Sequence, residues 1–175
     1  MQLIQNVTVG SGGAASIAFT SIPATFTDLL LVTSLRDNTG STGWENAFIY
    51  PNNSSSNMVS KFLFGWGSGN VGSGTNTPAV IYHQTGRGGN TANTFSSSNV
   101  YFCNYASSTT KSMSADTSVE RNDIAGINAI TSAIWSDNTP ISSLYITAAT
   151  GLFVQYSSAS LYGITAGSSG GVTVS

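Results

Sequence analysis

Apolar and polar side chains alternate along much of this chain with a period of two, the period that sets one face of a β-strand against a core. Leu3–Val9 reads as a first strand and Ala14–Thr20 as a second, with Ile17 and Phe19 on one face and the turn Gly10–Gly13 between them. The next strand, Asp28–Arg36, begins after Pro23, which cannot donate a ladder hydrogen bond. Its run Leu29–Val32 predicts a strand buried on both faces. Trp44–Tyr50 keeps Trp44, Phe48 and Tyr50 in phase, and the polar turn Pro51–Asn57 leads into the apolar strand Met58–Trp66. Further strands are predicted at Pro78–Gln84, Thr94–Tyr105, Lys111–Arg121, Gly126–Ser136, Ile141–Ala148 and Gly151–Ile164. Ile124–Ile134 also has apolar residues at helical spacing, but Gly126 and the β-branched content favour a strand.

Many short strands with turn signals at close spacing predict an all-β fold: a jelly-roll-like antiparallel β-sandwich. A length of 175 residues suits a single domain over 1–175, with a short Gly/Ser-rich C-terminal tail from about residue 165. Two stretches interrupt the alternation. Gly65–Thr77 contains Gly67-Ser-Gly69-Asn-Val-Gly72, which fits the letters of a dinucleotide fingerprint but opens no helix, so a mobile loop is expected instead. Gly86–Asn93 is a second Gly-rich loop, around Arg87.

Charge changes the picture next. Charged residues make up 7 % of the chain, against about 25 % in an average soluble domain. Little repulsion opposes self-association on such a surface, which predicts a subunit covered by its neighbours. Net charge is −2 and Arg36, Lys61, Arg87, Lys111 and Arg121 are scattered, so there is no basic stripe for nucleic acid. The single cysteine, Cys103, rules out an intrachain disulfide and, following Val100-Tyr-Phe, is expected to be a buried inert thiol. Neither a secretory leader nor an apolar run long enough to cross a membrane is expected, which points to synthesis in a cytoplasm.

The chemistry-bearing residues do not assemble an enzyme. His83 is the only histidine, so a Ser–His–Asp triad would have to use it, and no motif places a nucleophile beside it. Zinc needs several His or Cys ligands. Seven acidic residues permit a glycosidase pair on paper, with no spacing to favour one. Asp116 with Asp123, or Asp37 with Asn38, could meet a calcium ion, but no loop has the alternating acids of an EF-hand. The expectation is therefore a non-enzymatic protein with no cofactor and no metal site. Trp44, Trp66 and Trp135 are first read as core, with Trp66, beside the Gly-rich loop, the one expected at the surface. The two Gly-rich loops flank one short strand, so a partner-binding surface is placed there, on Trp66, His83 and Arg87.

Several pieces in order, Phe19-Thr-Ser-Ile-Pro23, Thr27-Asp-Leu-Leu-Leu31, Ser34-Leu-Arg36, Ser98–Ala106 and the closing Ser160-Leu-Tyr-Gly-Ile164, resemble a family of small virion proteins of tailed bacteriophages. One departure is Phe48-Ile-Tyr-Pro-Asn52, where Pro51 stiffens the turn. The resemblance implies a β-sandwich subunit of a virion surface, in a tail appendage or fibre or as a head decoration, and supplies no catalytic residues. Its implied partners are copies of itself, as a homotrimer by analogy with fibres and jelly-roll capsid proteins, and other virion proteins. A host surface glycan or receptor at a tail tip is the alternative. Within the closing piece, Leu161 and Ile164 are expected in the core and Tyr162 on the opposite side, with Gly163 permitting a bulge or a close backbone approach.

Overall fold

The computed structural model describes residues 1–76 and 81–165 and is an all-β sandwich. Its strands are β1 (Gln2–Thr8), β2 (Ser16–Phe19), β3 (Asp28–Ser34), β4 (Trp44–Pro51), β5 (Met58–Trp66), β6 (Asn70–Asn76), β7 (Ile81–Gly86), β8 (Ser96–Phe102), β9 (Lys111–Val119), β10 (Ile127–Trp135), β11 (Leu144–Ala148) and β12 (Ser158–Ile164). They form an eight-stranded sheet in the order β1-β12-β3-β8-β9-β10-β5-β6 and a four-stranded sheet in the order β2-β11-β4-β7. All strand pairs are antiparallel.

Without β5, β6, β9 and β10, two four-stranded sheets remain, β1-β12-β3-β8 and β2-β11-β4-β7. The chain crosses between these at each connection except the one from β4 to β7, which is the connectivity of a jelly roll. The hairpins β5–β6 and β9–β10 are insertions. They join edge to edge through β5 and β10 and widen one sheet into an extension that the small sheet covers only in part, chiefly through β7.

The two-layered half holds the densest apolar packing. Phe19, Leu29, Leu31, Val100, Phe102, Leu144, Ile146 and Leu161 are all fully buried between the sheets. Each such side chain contributes about 1.5–3 kcal/mol of transfer free energy. The core cluster runs into the extension as far as Ala115, Ala133 and Trp135, and Val119, Ile127 and Ala129 are buried beyond it. Lys111 is 1 % exposed at the start of β9; its Nζ donates to the carbonyls of Asp137 and Thr139 at 3.0 and 2.6 Å and lies 5.5 Å from the centroid of the Trp135 ring. Burial pushes this ammonium below its ordinary pKa.

Several expectations change. Leu29–Val32 is not buried on both faces: Leu29 and Leu31 face the core, while Leu30 and Val32 are half-buried on the outer face, because among the described residues only one side of this sheet has a partner layer. Gly65–Thr77 is not a loop over its described length. β5 runs to Trp66, a three-residue turn follows, and β6 returns along the sheet edge, with position 77 outside the described residues. Positions 78–80 of the predicted strand Pro78–Gln84 likewise lie outside, as does the tail from residue 166. Cys103 is exposed, because Phe102 points inward as the last residue of β8 and the next side chain therefore points out. In β12, Leu161 is buried and Ile164 is not: three residues apart on a strand, they fall on opposite faces. Gly163 serves a close approach, since the ring of Phe26 lies where its Cβ would be. The adjoining bulge is in β1, between Leu3 and Gln5.

Candidate functional site

Four segments end at one end of the molecule: the start of β4, the end of β5, the residues after β7 and the β9–β10 turn. Between them lies a cleft of about 340 Å³ lined by Thr42, Gly43, Trp44, Trp66, Arg87, Arg121 and Ala125. Register brings these segments together. Trp44 pairs with Gly86, and Trp66 pairs with Ile127, which pairs in turn with Val119. The ring centroids of Trp44 and Trp66 are 6.1 Å apart at an interplanar angle of 51°. Trp66 stacks on Phe64 at 5.3 Å, and Phe64 lies 5.8 Å from Phe62, so four aromatic rings form a row. All four are half-buried.

The row accounts for β6. Phe64 is paired with Gly72 and Phe62 with Gly74, and each ring covers its glycine. A Cβ at Gly72 would meet the tip of the Phe64 ring at 2.7 Å. The glycines leave room for the rings, and the rings supply the burial that a glycine strand lacks.

Polar groups around the cleft are held from below. Arg87 donates from Nη1 to Ser41 Oγ at 2.7 Å and from Nη2 to Glu45 Oε2 at 2.8 Å. Burial alone would raise the Glu45 carboxyl, but the Asn46 amide, Arg87 and Thr150 together hold it below its ordinary pKa. Arg121 donates to Asp123 Oδ2 at 2.9 Å. The Asn90 side chain clamps Gly43 from both sides, accepting from its N–H at 2.7 Å and donating to its carbonyl at 2.8 Å.

Beneath them Arg36, 8 % exposed, organises the loop 86–95. Its Nη1 donates to the carbonyls of Thr91 (2.6 Å) and Thr94 (3.1 Å) and to the Thr94 hydroxyl, and its Nη2 to the carbonyls of Gly88 (2.8 Å) and Asn90 (2.9 Å). The planar guanidinium fork suits such a carbonyl cradle. The second Gly-rich loop is therefore ordered around Arg36, and not around Arg87.

Of the residues expected at a partner surface, Trp66 and Arg87 meet in this cleft. His83 lies within β7, its backbone paired with Ala47, and its side chain is outside the described residues. Trp44, first read as core, and Arg121, read as one of the scattered cations, were not placed at that surface from the sequence, and both line the cleft. Trp135, 1 % exposed, is core as first read, whereas Trp44 is half-buried. Among the described residues, no group of three or more His, Cys, Asp or Glu side chains could hold a metal ion, and no helix is long and apolar enough to cross a membrane. Asp123 is taken up by Arg121 and the Ala125 amide, and Asp116 by the Asn99 side chain.

A second surface lies on the outer face of the eight-stranded sheet, where side chains on paired strands line up in rows. One row runs Val32, Asn99, Asp116, Ile130, Leu63, Ser73. Shallow grooves of about 820 and 640 Å³ lie along β5, β6, β9 and β10, with Leu63, Ser73, Asp116 and Ile130 in both. Leu63, Val71, Ile130 and Ile134 are 57, 82, 59 and 47 % exposed there. Compared with known proteins, the chain matches no family model and no curated protein.

Proposed function

We propose that this chain is a non-enzymatic structural subunit of a bacteriophage virion surface, in a tail fibre or appendage or as a head decoration. In this reading copies of the chain pack against one another, as a homotrimer, and against other virion proteins. The observation that carries the assembly is the outer face of the eight-stranded sheet, which has no partner layer among the described residues. Its exposed aliphatic residues sit among hydroxyl and amide side chains, with few charges. Eight strands at about 4.8 Å spacing and about seven residues each make this face roughly 800 Å². That is about the area one partner contributes to a standard stable interface. Within this face Leu63, Val71, Ile130 and Ile134 form an exposed aliphatic patch, and such patches mark association sites. The ordered pieces from Phe19-Thr-Ser-Ile-Pro23 to Ser160-Leu-Tyr-Gly-Ile164 support the virion assignment through their resemblance to phage virion proteins.

Light scattering on the purified protein tests the assembly. The expected result is an oligomer at micromolar concentration that falls to monomer on replacing Leu63 and Ile130 together with Asp, with the circular dichroism spectrum unchanged. A wild-type protein that stays monomeric sinks this reading. Failure to find the chain in purified particles sinks the virion assignment. A second reading, a receptor- or glycan-binding module at a tail tip, is favoured by the Trp44–Trp66 cleft.

A further inference from the structure

Trp135, on β10, is covered on all sides at 1 % exposure. Trp44 and Trp66 differ: both are half-buried and line the cleft of about 340 Å³ with their rings inclined at 51°, one face of Trp66 being stacked on Phe64. That volume lies at the lower end of the range of about 300–1,000 Å³ for small-molecule sites. The polar rim adds donors and acceptors without net charge. Arg87 is paired with Glu45 at 2.8 Å and Arg121 with Asp123 at 2.9 Å, so both arginines that line the cleft are already neutralised. Thr42 adds a hydroxyl at the edge.

Flat apolar faces beside directional, locally neutral hydrogen-bonding groups complement a sugar ring. A pyranose presents a C–H face that stacks on an indole and a rim of hydroxyls that both donate and accept. The walls are also pre-positioned. Asn90 fixes Gly43, the Thr91 hydroxyl donates to the Arg121 carbonyl at 3.1 Å, and Arg36 ties down the loop that carries Asn90 and Thr91. Binding then costs little ordering of the protein.

We propose that the Trp44–Trp66 cleft binds a neutral pyranose unit of a surface glycan. The proposal names the ligand class for the glycan-binding reading and does not need the outer sheet face to be an interface.

The test is indole fluorescence titration with maltotriose, mannotriose and galactotriose, and with a guluronate trisaccharide as the acidic control. Trp135, being buried, supplies a constant background. At least one neutral trisaccharide should change the emission saturably at millimolar concentration or below, with an affinity that is unchanged from about 0.05 to about 0.5 M salt. Replacing Trp66 with Ala should weaken binding about tenfold or more, while Trp66→Phe should retain most of it. Arg121→Gln, at the rim, should weaken binding severalfold and guards against a Trp66→Ala variant that fails to fold. The Leu63→Asp, Ile130→Asp double variant should bind as the wild type does, which separates this proposal from the assembly reading. No response to any neutral trisaccharide, binding of the guluronate alone, or undiminished binding by folded Trp66→Ala and Arg121→Gln would each overturn it.

Discussion

The jelly-roll half and the inserted extension use the same sheet in different ways. In the half formed by β1, β12, β3 and β8, a second sheet lies opposite, and the inward positions include the large Leu29, Leu31, Val100, Phe102 and Leu161, each fully buried, beside the smaller Thr33, Ser96, Ser98 and Ala159. In the extension the inward positions of β9 and β10 include Ala115, Thr117, Ala129, Thr131 and Ala133, each at most 7 % exposed. On β5 and β6 they become half-buried aromatics over glycines. Small side chains suit strands crossed closely by β7, whose Gln84 and Thr85 are fully buried. The first region draws mainly on large side chains between two layers; the second combines ladder hydrogen bonds, a one-sided aromatic row and a few large buried anchors, Met113, Ile127 and Trp135. The extension is correspondingly the region that carries both the exposed aliphatic face and two walls of the cleft.

A pair of truncations puts the largest strain on this contrast. Phe102→Ala should cost about 3–5 kcal/mol in urea unfolding, as expected for a fully buried phenylalanine. Phe64→Ala should cost about 1–2 kcal/mol, because its ring is half-exposed and lies over Gly72. Equal costs would mean that the extension is packed like a core and that the contrast is false.

Arg36 sharpens the comparison at the junction. Arg36→Met strands the carbonyls of Gly88, Asn90, Thr91 and Thr94 and should cost about 3 kcal/mol. Hydrogen exchange should rise across residues 86–95 and at Gly43, with the jelly-roll strands still protected. Uniform loss of protection would show that this loop is not a separate unit.

The smallest expected effect is a pH dependence that Tyr101 contributes in the jelly-roll half. The Tyr101 hydroxyl donates to Asp28 Oδ2 at 2.5 Å, and Asp28 Oδ1 accepts from the Asn104 amide at 2.7 Å. This hydrogen bond to Asp28, with burial and the carboxylate charge adding to it, pushes the Tyr101 phenol up to about 12. The folded-state pKa is above the unfolded one, so the contribution is complete below about pH 10 and is lost as pH rises through about 12. Tyr101→Phe should cost about 1 kcal/mol at neutral pH. Unfolding curves from pH 9 to 12 should show a steeper decline in the wild type than in this variant. Identical slopes would remove Tyr101 from the account.

Local pattern determined most of the strand map. Met58–Trp66 has the bounds that its apolar run and flanking turns specify, and β9 and β10 follow strict alternation along their lengths. Ile127–Trp135 is a strand and not a helix, as its β-branched content favoured. β6 was not legible, because Gly72 and Gly74 have low strand propensity and persist there only through Phe62 and Phe64 of the neighbouring strand. The cleft was half legible. Trp66 and Arg87 stood beside Gly-rich segments, while Trp44 and Arg121 carry no local mark and are brought to them by the pairing of β4 with β7 and of β10 with β5 and β9. Which side of the alternation has a partner layer was also decided above the level of sequence. Period two says only that the faces differ, so Leu30, Val32 and Cys103 could be placed only once the second sheet was seen on the opposite side. A strand's own residues specify its conformation and its two faces; the jelly-roll crossings and the two inserted hairpins decide what each face meets.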